Sequence, residues 1–271
     1  MNIRSNLHTH TPYCDGADSI ENLILKAIEL GYESIGFSGH SFTDFDPLPS
    51  MNNSEAKAYA EEVVALKQKY KDKIEVYLGI EQDILSPAPP FKPDYIIGSA
   101  HYLDVGIEKV SVDNTAELAC DAVEKYFSGD WLSFAEKYYE SAKDAARITG
   151  CDIVGHFDLV TKFNEGNRYF DENHIRYRAA AIDALRYEID YCNLFEINTG
   201  VIYIKKRTTP YPAEFLLCEI NRLGGEIIFS SDSHDSASLG YMFSKAVEIA
   251  KKCGFVYAKV LKNGVFEDIK L

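Results

Sequence analysis

The chain is short of basic residues, with 28 Lys and Arg against 42 Asp and Glu and a formal charge of -14. Binding to nucleic acid or to an anionic membrane is thereby excluded as a main activity, since that attraction needs clustered Lys and Arg. No apolar run approaches the roughly 20 residues needed to span a bilayer, and the start of the chain lacks the apolar stretch of a signal peptide. The six cysteines include no C-x-x-C pair, so Cys14, Cys120, Cys151, Cys192, Cys218 and Cys253 read as reduced thiols of a cytoplasmic protein. No cysteine is followed six positions later by arginine, and no G-x-x-x-x-G-K-[ST] run occurs. A cysteine-phosphatase loop and a nucleotide-cleaving P-loop are both absent. "DFDPL" superficially resembles an aspartate-nucleophile motif, but it follows "HSFT" in a loop, not an apolar strand.

What is present is an alternation. With 271 residues, 46% of them hydrophobic, the chain can bury a sizeable core and reads as one α/β domain over 1–271. Ile20, Leu23, Ile24, Ala27 and Ile28 form a helical stripe, with Asp18 and Glu21 resembling a capping box and Gly31 placed as its stop. The run "ESIGFSGH" then fits a buried strand. The same order repeats: helices near 54–70, 115–148, 175–191, 213–223 and 237–252 lie among "IEVYLGIE", "PDYIIGSAH", "CDIVGH", "LFEINTG", "EIIFSSDSH" and "FVYAKVL". Counting the strand that runs into His8, seven strands precede a closing eighth apolar run. A (β/α) barrel of about seven strands is the expected architecture, with a doubly wound open sheet as the alternative. The loop "SFTDFDPLPSMNN" (41–53) could fold over a site, and the aromatic "YFSGDWLSFAEKYY" (126–139) reads as helical packing.

The carboxyl ends of these strands carry an unusual set of side chains. In order they are His8 and His10, His40, Glu81, His101, His156, Glu196 with Asn198, and Asp232 with His234. Six of the seven histidines sit at such ends, while His174 reads as a surface or capping residue. A parallel barrel gathers all those ends on one face. Burying so many polar groups together is costly unless something satisfies them, and divalent ions do so; imidazole and carboxylate suit zinc, iron or manganese. Nine candidate ligands, the six histidines with the three carboxylates Glu81, Asp232 and Asp15, imply two or three ions. Alternate residues of a strand share a face, so His8 and His10 grip one ion together, and Asp232 with His234 repeats the device.

H-x-H with a following D-G, then G-H, a lone Glu, a single His, G-H and D-x-H, in this order, resemble the PHP superfamily of metal-dependent phosphoesterases. Within it, "IIGSAHYLD", "VGHFDLVTKFN", "FEINTG" followed by basic residues and "PYP", and "SSDSH" look like the PHP-type histidinol-phosphate phosphatases. The resemblance implies a distorted (β/α)7 barrel and a trinuclear site of zinc, iron or manganese. It implies one metal held by His8, His10, Glu81 and Asp232, a second by Glu81, His101 and His156, and a third by Asp15, His40 and His234. Many members carry C-P-H-G where this chain has Cys14, Asp15 and Gly16, so a carboxylate stands in for an imidazole at the third position.

The implied reaction is hydrolysis of L-histidinol phosphate by a hydroxide held between ions about 3.5 to 4 Å apart. Asp15 or His234 is the candidate acid for the departing alkoxide. Lys162, Asn198 and one of Lys205, Lys206 and Arg207 are candidates for the substrate phosphate. The implied partner is a small phosphorylated molecule; nothing in the residue pattern sets an oligomeric state. Two other readings fit the same residues: a phosphoesterase for phosphotyrosine peptides or nucleoside monophosphates, and a metal-binding barrel without catalysis.

Overall fold

The computed structural model describes residues 3–46 and 48–271; Pro47, within the 41–53 loop, lies outside the described residues, as do the first two. Strands β1 (Ser5–Asn6), β2 (Ser34–Phe37), β3 (Glu75–Asp83) and β4 (Tyr95–Ser99) lie side by side and parallel. A small antiparallel hairpin, β5 (Tyr102–Asp104) and β6 (Lys109–Ser111), follows β4. The parallel sheet resumes with β7 (Ile153–Val154), β8 (Leu194–Asn198) and β9 (Glu226–Ser230). Past β9 the chain returns to β1: Thr9 and Ser233 form a parallel bridge, with the His10 amide donating to the Ser233 carbonyl (2.8 Å) and the Ser233 amide to that of His8 (3.0 Å). Seven strands thus curl into a distorted (β/α)7 barrel, as expected.

The eighth run is β10 (Tyr257–Lys262), which meets β9 through one pair of residues and turns back as β11 (Val265–Lys270). Its turn reaches under the barrel, where the Asn263 amide donates to Glu75 (2.8 Å) and that of Gly264 to the Tyr77 hydroxyl (3.2 Å).

The ring of Tyr95 fills part of the barrel interior. A Cβ on Gly36 would lie 2.3 Å from its hydroxyl oxygen, and one on Gly79 would lie 2.2 Å from its ring. Two strands therefore carry glycine where an aromatic ring crosses.

Helices α1 (Ile20–Glu29) and α2 (Asn53–Tyr70) match the periodicity. The cap of α1 is Ser19, whose hydroxyl accepts from the Asn22 amide, and not Asp18, which accepts from the Ser236 amide. Glu21 is drawn instead to Lys69 and Tyr70. The expected helix over 115–148 is three: α3 (Ala116–Phe127), α4 (Trp131–Ala142) and α5 (Ala145–Thr149). Ser128 and Gly129 break it with φ of 53° and 79°, and Asp130 caps the next segment. After them come α6 (Ile175–Glu188), α7 (Gly200–Tyr203), α8 (Glu214–Arg222) and α9 (Phe243–Lys252). The last starts six residues later than expected, because Ser238 bonds twice to Asp235 in a turn of its own. His174 caps α6, accepting from the Arg176 amide. All six cysteines are free; Cys218 is exposed, with its Sγ 2.9 Å from that of Cys253.

Candidate metal centre

Residues two apart on each strand step up the inside of the barrel and arrive at one mouth. His8 Nε2 lies 3.3 Å from Glu81 Oε2 and 3.5 Å from Asp232 Oδ1. His10 Nε2 lies 3.6 and 3.1 Å from the same two oxygens. All four of these atoms are buried, and none has a hydrogen-bond partner among the described residues. Leaving one such atom unpaired costs about 1–3 kcal/mol. Four of them, two nitrogens and two carboxylate oxygens, make a cage whose lone pairs a divalent cation satisfies. The donor set therefore fits the metals implied by the sequence.

Two further groups adjoin the first. Glu81 Oε1 lies 2.8 Å from His156 Nε2 and 3.2 Å from His101 Nε2, while its Oε2 lies 2.9 Å from His40 Nδ1. At the rim, Asp15 places Oδ1 3.3 Å from His10 Nδ1, and Oδ2 3.2 Å from His234 Nε2 and 3.6 Å from His40 Nε2. Taken by mutual distance, the sets able to hold an ion are His8, His10 and Asp232; His8, Glu81 and His156; His40, Glu81 and His101; and His10, Asp15, His40 and His234. All nine expected ligands converge, and Glu81 stands between them. The geometry adds His10 to the rim group and lets His40 face both Glu81 and Asp15.

Local backbone explains two of these positions. Asp232 sits at φ 45°, in the left-handed region that aspartate tolerates better than most residues, which aims its carboxylate across the mouth. A Cβ on Gly16 would lie 2.4 Å from the Thr11 amide nitrogen, so the turn that carries Asp15 packs directly on the His10–Thr11 backbone.

A second set of residues holds the ligands. His8 Nδ1 pairs with Glu196 Oε2 (2.9 Å), which leaves Nε2 for the cage. Glu196 also accepts from the His156 amide (2.6 Å) and the Ser230 hydroxyl (2.5 Å). Asp83 accepts from the His101 amide and meets its Nδ1 at 3.2 Å, and Ser99 donates to Glu81. Asn198 donates to Glu196 (2.9 Å) and Asp232 (3.2 Å). Sequence reasoning assigned no role to Asp83 or Glu196. The available signal was period two, since Asp83 follows Glu81 on one face of β3. Counting them with Asp113 brings the carboxylates around the centre to six, enough to offset three divalent ions, where the sequence reading counted three.

Without ions these groups exchange protons strongly. Burial alone would lower the His8 pKa, but Asp232, Glu196 and Glu81 outweigh it and hold it well above its ordinary value. Burial likewise opposes, and Glu81 and Asp15 push up, His40, to about 9. Burial would raise Asp15, yet His40, His10 and His234 hold it well below the carboxylate range. An acid held that firmly ionised suits a ligand, not the proton donor the sequence reading allowed it to be.

Two connected recesses open from the cluster. One, of about 190 Å³, is lined by seven of the nine ligands together with Lys162, Leu159, Val201, Ile204 and Tyr211, among others. The other, of about 460 Å³, runs beneath the 41–53 loop past Asp46, Tyr102 and Asp113. Lys162 lines both and pairs with Asp113 at 2.9 Å. The remaining phosphate candidates do not line them. Arg207 is buried against Glu172 (2.8 Å) and the Thr161 carbonyl, Asn198 is spent on Glu196 and Asp232, Lys206 stacks over Phe163, and Lys205 lies just past α7 with φ 58°. Closeness in sequence to Asn198 does not bring Lys205, Lys206 or Arg207 into the recesses, since Arg207 turns to Glu172 and Lys206 to Phe163. Among the described residues no helix is long and apolar enough to cross a membrane.

Comparison with known proteins agrees with this geometry. A family model described as the PHP domain matches residues 6–200. The Bacillus subtilis protein named histidinol-phosphatase is 27% identical, over 89% of this chain and 97% of its own length. The Schizosaccharomyces pombe protein named "Probable histidinol-phosphatase" is 25% identical, over 97% of this chain and 90% of its own. A crystal structure of histidinol phosphate phosphatase from Lactococcus lactis, described as complexed with zinc, L-histidinol and phosphate, shares the fold with a TM-score of 0.72 at 23% identity, covering 97% of this chain and 98% of that one.

Proposed function

The chain belongs to the PHP domain family, and from that premise we propose that it is a metal-dependent phosphomonoesterase that hydrolyses L-histidinol phosphate to L-histidinol and phosphate, in the biosynthesis of histidine. The observation that carries the reading is the buried cage of four unpartnered donor atoms from His8, His10, Glu81 and Asp232. Relatives at 25 to 27% identity over most of the chain, two of them named above, supply the substrate.

In this reading two or three zinc, iron or manganese ions are held by the inner groups around Glu81 and by the rim group of His10, Asp15, His40 and His234. When bound, the ions polarise the phosphoryl oxygens and lower the pKa of water toward neutrality. The protein's own groups do the rest. Glu196 and Asp83 fix the rings of His8 and His101, so the donor atoms stand ready before substrate arrives. Lys162 Nζ, already in both recesses, binds a phosphoryl oxygen. His234 is the most exposed of the nine ligands, with 41% of its side chain accessible. It exchanges protons with solvent beside the departing alcohol. The larger recess, with Asp46, Asp113 and the Tyr102 ring on its walls, suits an alcohol bearing ammonium and imidazole groups better than a nucleoside or an acidic peptide.

The test is substrate profiling of the purified protein reconstituted with manganese or zinc. Histidinol phosphate is expected to exceed AMP and phosphotyrosine by at least a hundredfold in kcat/KM, with activity lost on chelation and restored by metal. Equal rates on the three substrates would remove the substrate assignment, and metal-independent turnover would remove the centre.

A further inference from the structure

The criterion that marks the metal cage also marks several groups outside it, and among these the Tyr211 hydroxyl belongs to a residue that lines the smaller recess. Tyr211 is 3% exposed, lines the smaller recess beside Lys162, His156, Asp232 and His234, and its hydroxyl has no hydrogen-bond partner among the described residues. Its backbone is clamped to the end of β8, where the Asn198 amide donates to the Tyr211 carbonyl (2.8 Å) and the Tyr211 amide to the Asn198 carbonyl (3.0 Å). The ring packs edge-on to His156, with centroids 6.3 Å apart. A phenol held this rigidly beside the ligands, with its donor unspent, lowers stability unless a ligand takes the proton.

We propose that Tyr211 is a substrate-binding residue, its hydroxyl donating a hydrogen bond to a phosphoryl oxygen of the phosphomonoester while Lys162 binds another. The inference rests on the phosphomonoesterase reading of the site, not on the identity of the alcohol. The groups facing the phenol suit the role. Burial first, then Asp158 and Asp113, hold it neutral, with Arg207 opposing, so it serves as a donor throughout the working pH range. A neutral donor adds binding without adding charge to a mouth whose carboxylates already offset the ions.

Tyr211→Phe keeps the ring and removes only the hydroxyl. In the metal-loaded protein the substitution is expected to raise the Ki of inorganic phosphate and the KM for histidinol phosphate together, by about tenfold, in line with a hydrogen bond to a charged group. Metal content stays unchanged, and Tm stays equal or rises by a few degrees, since an unsatisfied buried hydroxyl is gone. A Ki for phosphate within twofold of the parent, or a fall in Tm with unchanged Ki, overturns the proposal and assigns the hydroxyl to internal structure. Should the parent protein leave histidinol phosphate untouched, the same comparison with p-nitrophenyl phosphate still reads the phosphate contact. The substrate assignment then fails without deciding the role of Tyr211.

Discussion

His8 has two ring nitrogens, and Glu196 decides which of them faces the cage. By taking Nδ1 at 2.9 Å it commits the ring to presenting Nε2. Substituting Glu196→Gln removes the charge that fixes this tautomer, and metal affinity at the inner position is expected to fall about tenfold or more. Competition with a chromogenic chelator measures this, and kcat should fall with occupancy and recover at high metal. At this scale the sequence was eloquent about ligands, because strand ends and two-residue spacing survive translation into geometry. It was mute about which nearby charges reach the mouth. Lys162 does so, whereas Arg207 turns inward to Glu172; both follow a strand-end motif by a few residues. Nothing in their spacing separates them, because the direction of each side chain is set by partners far away in the chain.

Elements were legible wherever a single period ran uninterrupted, and blurred where two helices share one. The stretch 115–148 keeps its apolar rhythm through α3, α4 and α5, so only the left-handed Ser128 and Gly129 mark the first break. The start of α5 depends on another element: Asp144 makes no side-chain cap, and Glu188 of α6 accepts from the Ala146 amide at 2.7 Å. Burial pushes the Glu188 carboxyl up to about 8, and its Oε2 has no partner. Because the folded pKa lies above the unfolded one, the folded state binds the extra proton. The stability this contributes is complete below the ordinary carboxyl pKa and is lost as pH rises toward 8. Glu188→Gln keeps an acceptor for Ala146 and cannot ionise. Its urea midpoint should therefore exceed that of the parent at pH 9 and nearly match it at pH 5, as chemical denaturation at the two pH values would report.

For the molecule as a whole, alternation of strand and helix sufficed to foresee the parallel barrel, since each βα unit announces itself locally. The β10–β11 hairpin was not foreseen, because β11 is mostly exposed and carries no continuous apolar pattern. The protein's response to pH is also a property of the assembled centre. Carboxylates hold His8, His10 and His101 well above their ordinary values against burial, and His40 near 9. The metal-free centre is thus protonated at neutral pH, and an arriving ion must displace protons. Adding zinc or manganese to metal-free protein at pH 7 in weak buffer should release more than one proton per chain, seen with an indicator dye. Apparent affinity should climb from pH 6 to 9, and acidification should expel the ions.

The bridge between Thr9 and Ser233 joins the opening motif of the chain to its last one. Translation delivers His8 and His10 more than two hundred residues ahead of Asp232, so a polypeptide cut short between them has half a claw and nothing to close it. Retention of the ions would thereby report that both halves of the claw have been made and joined.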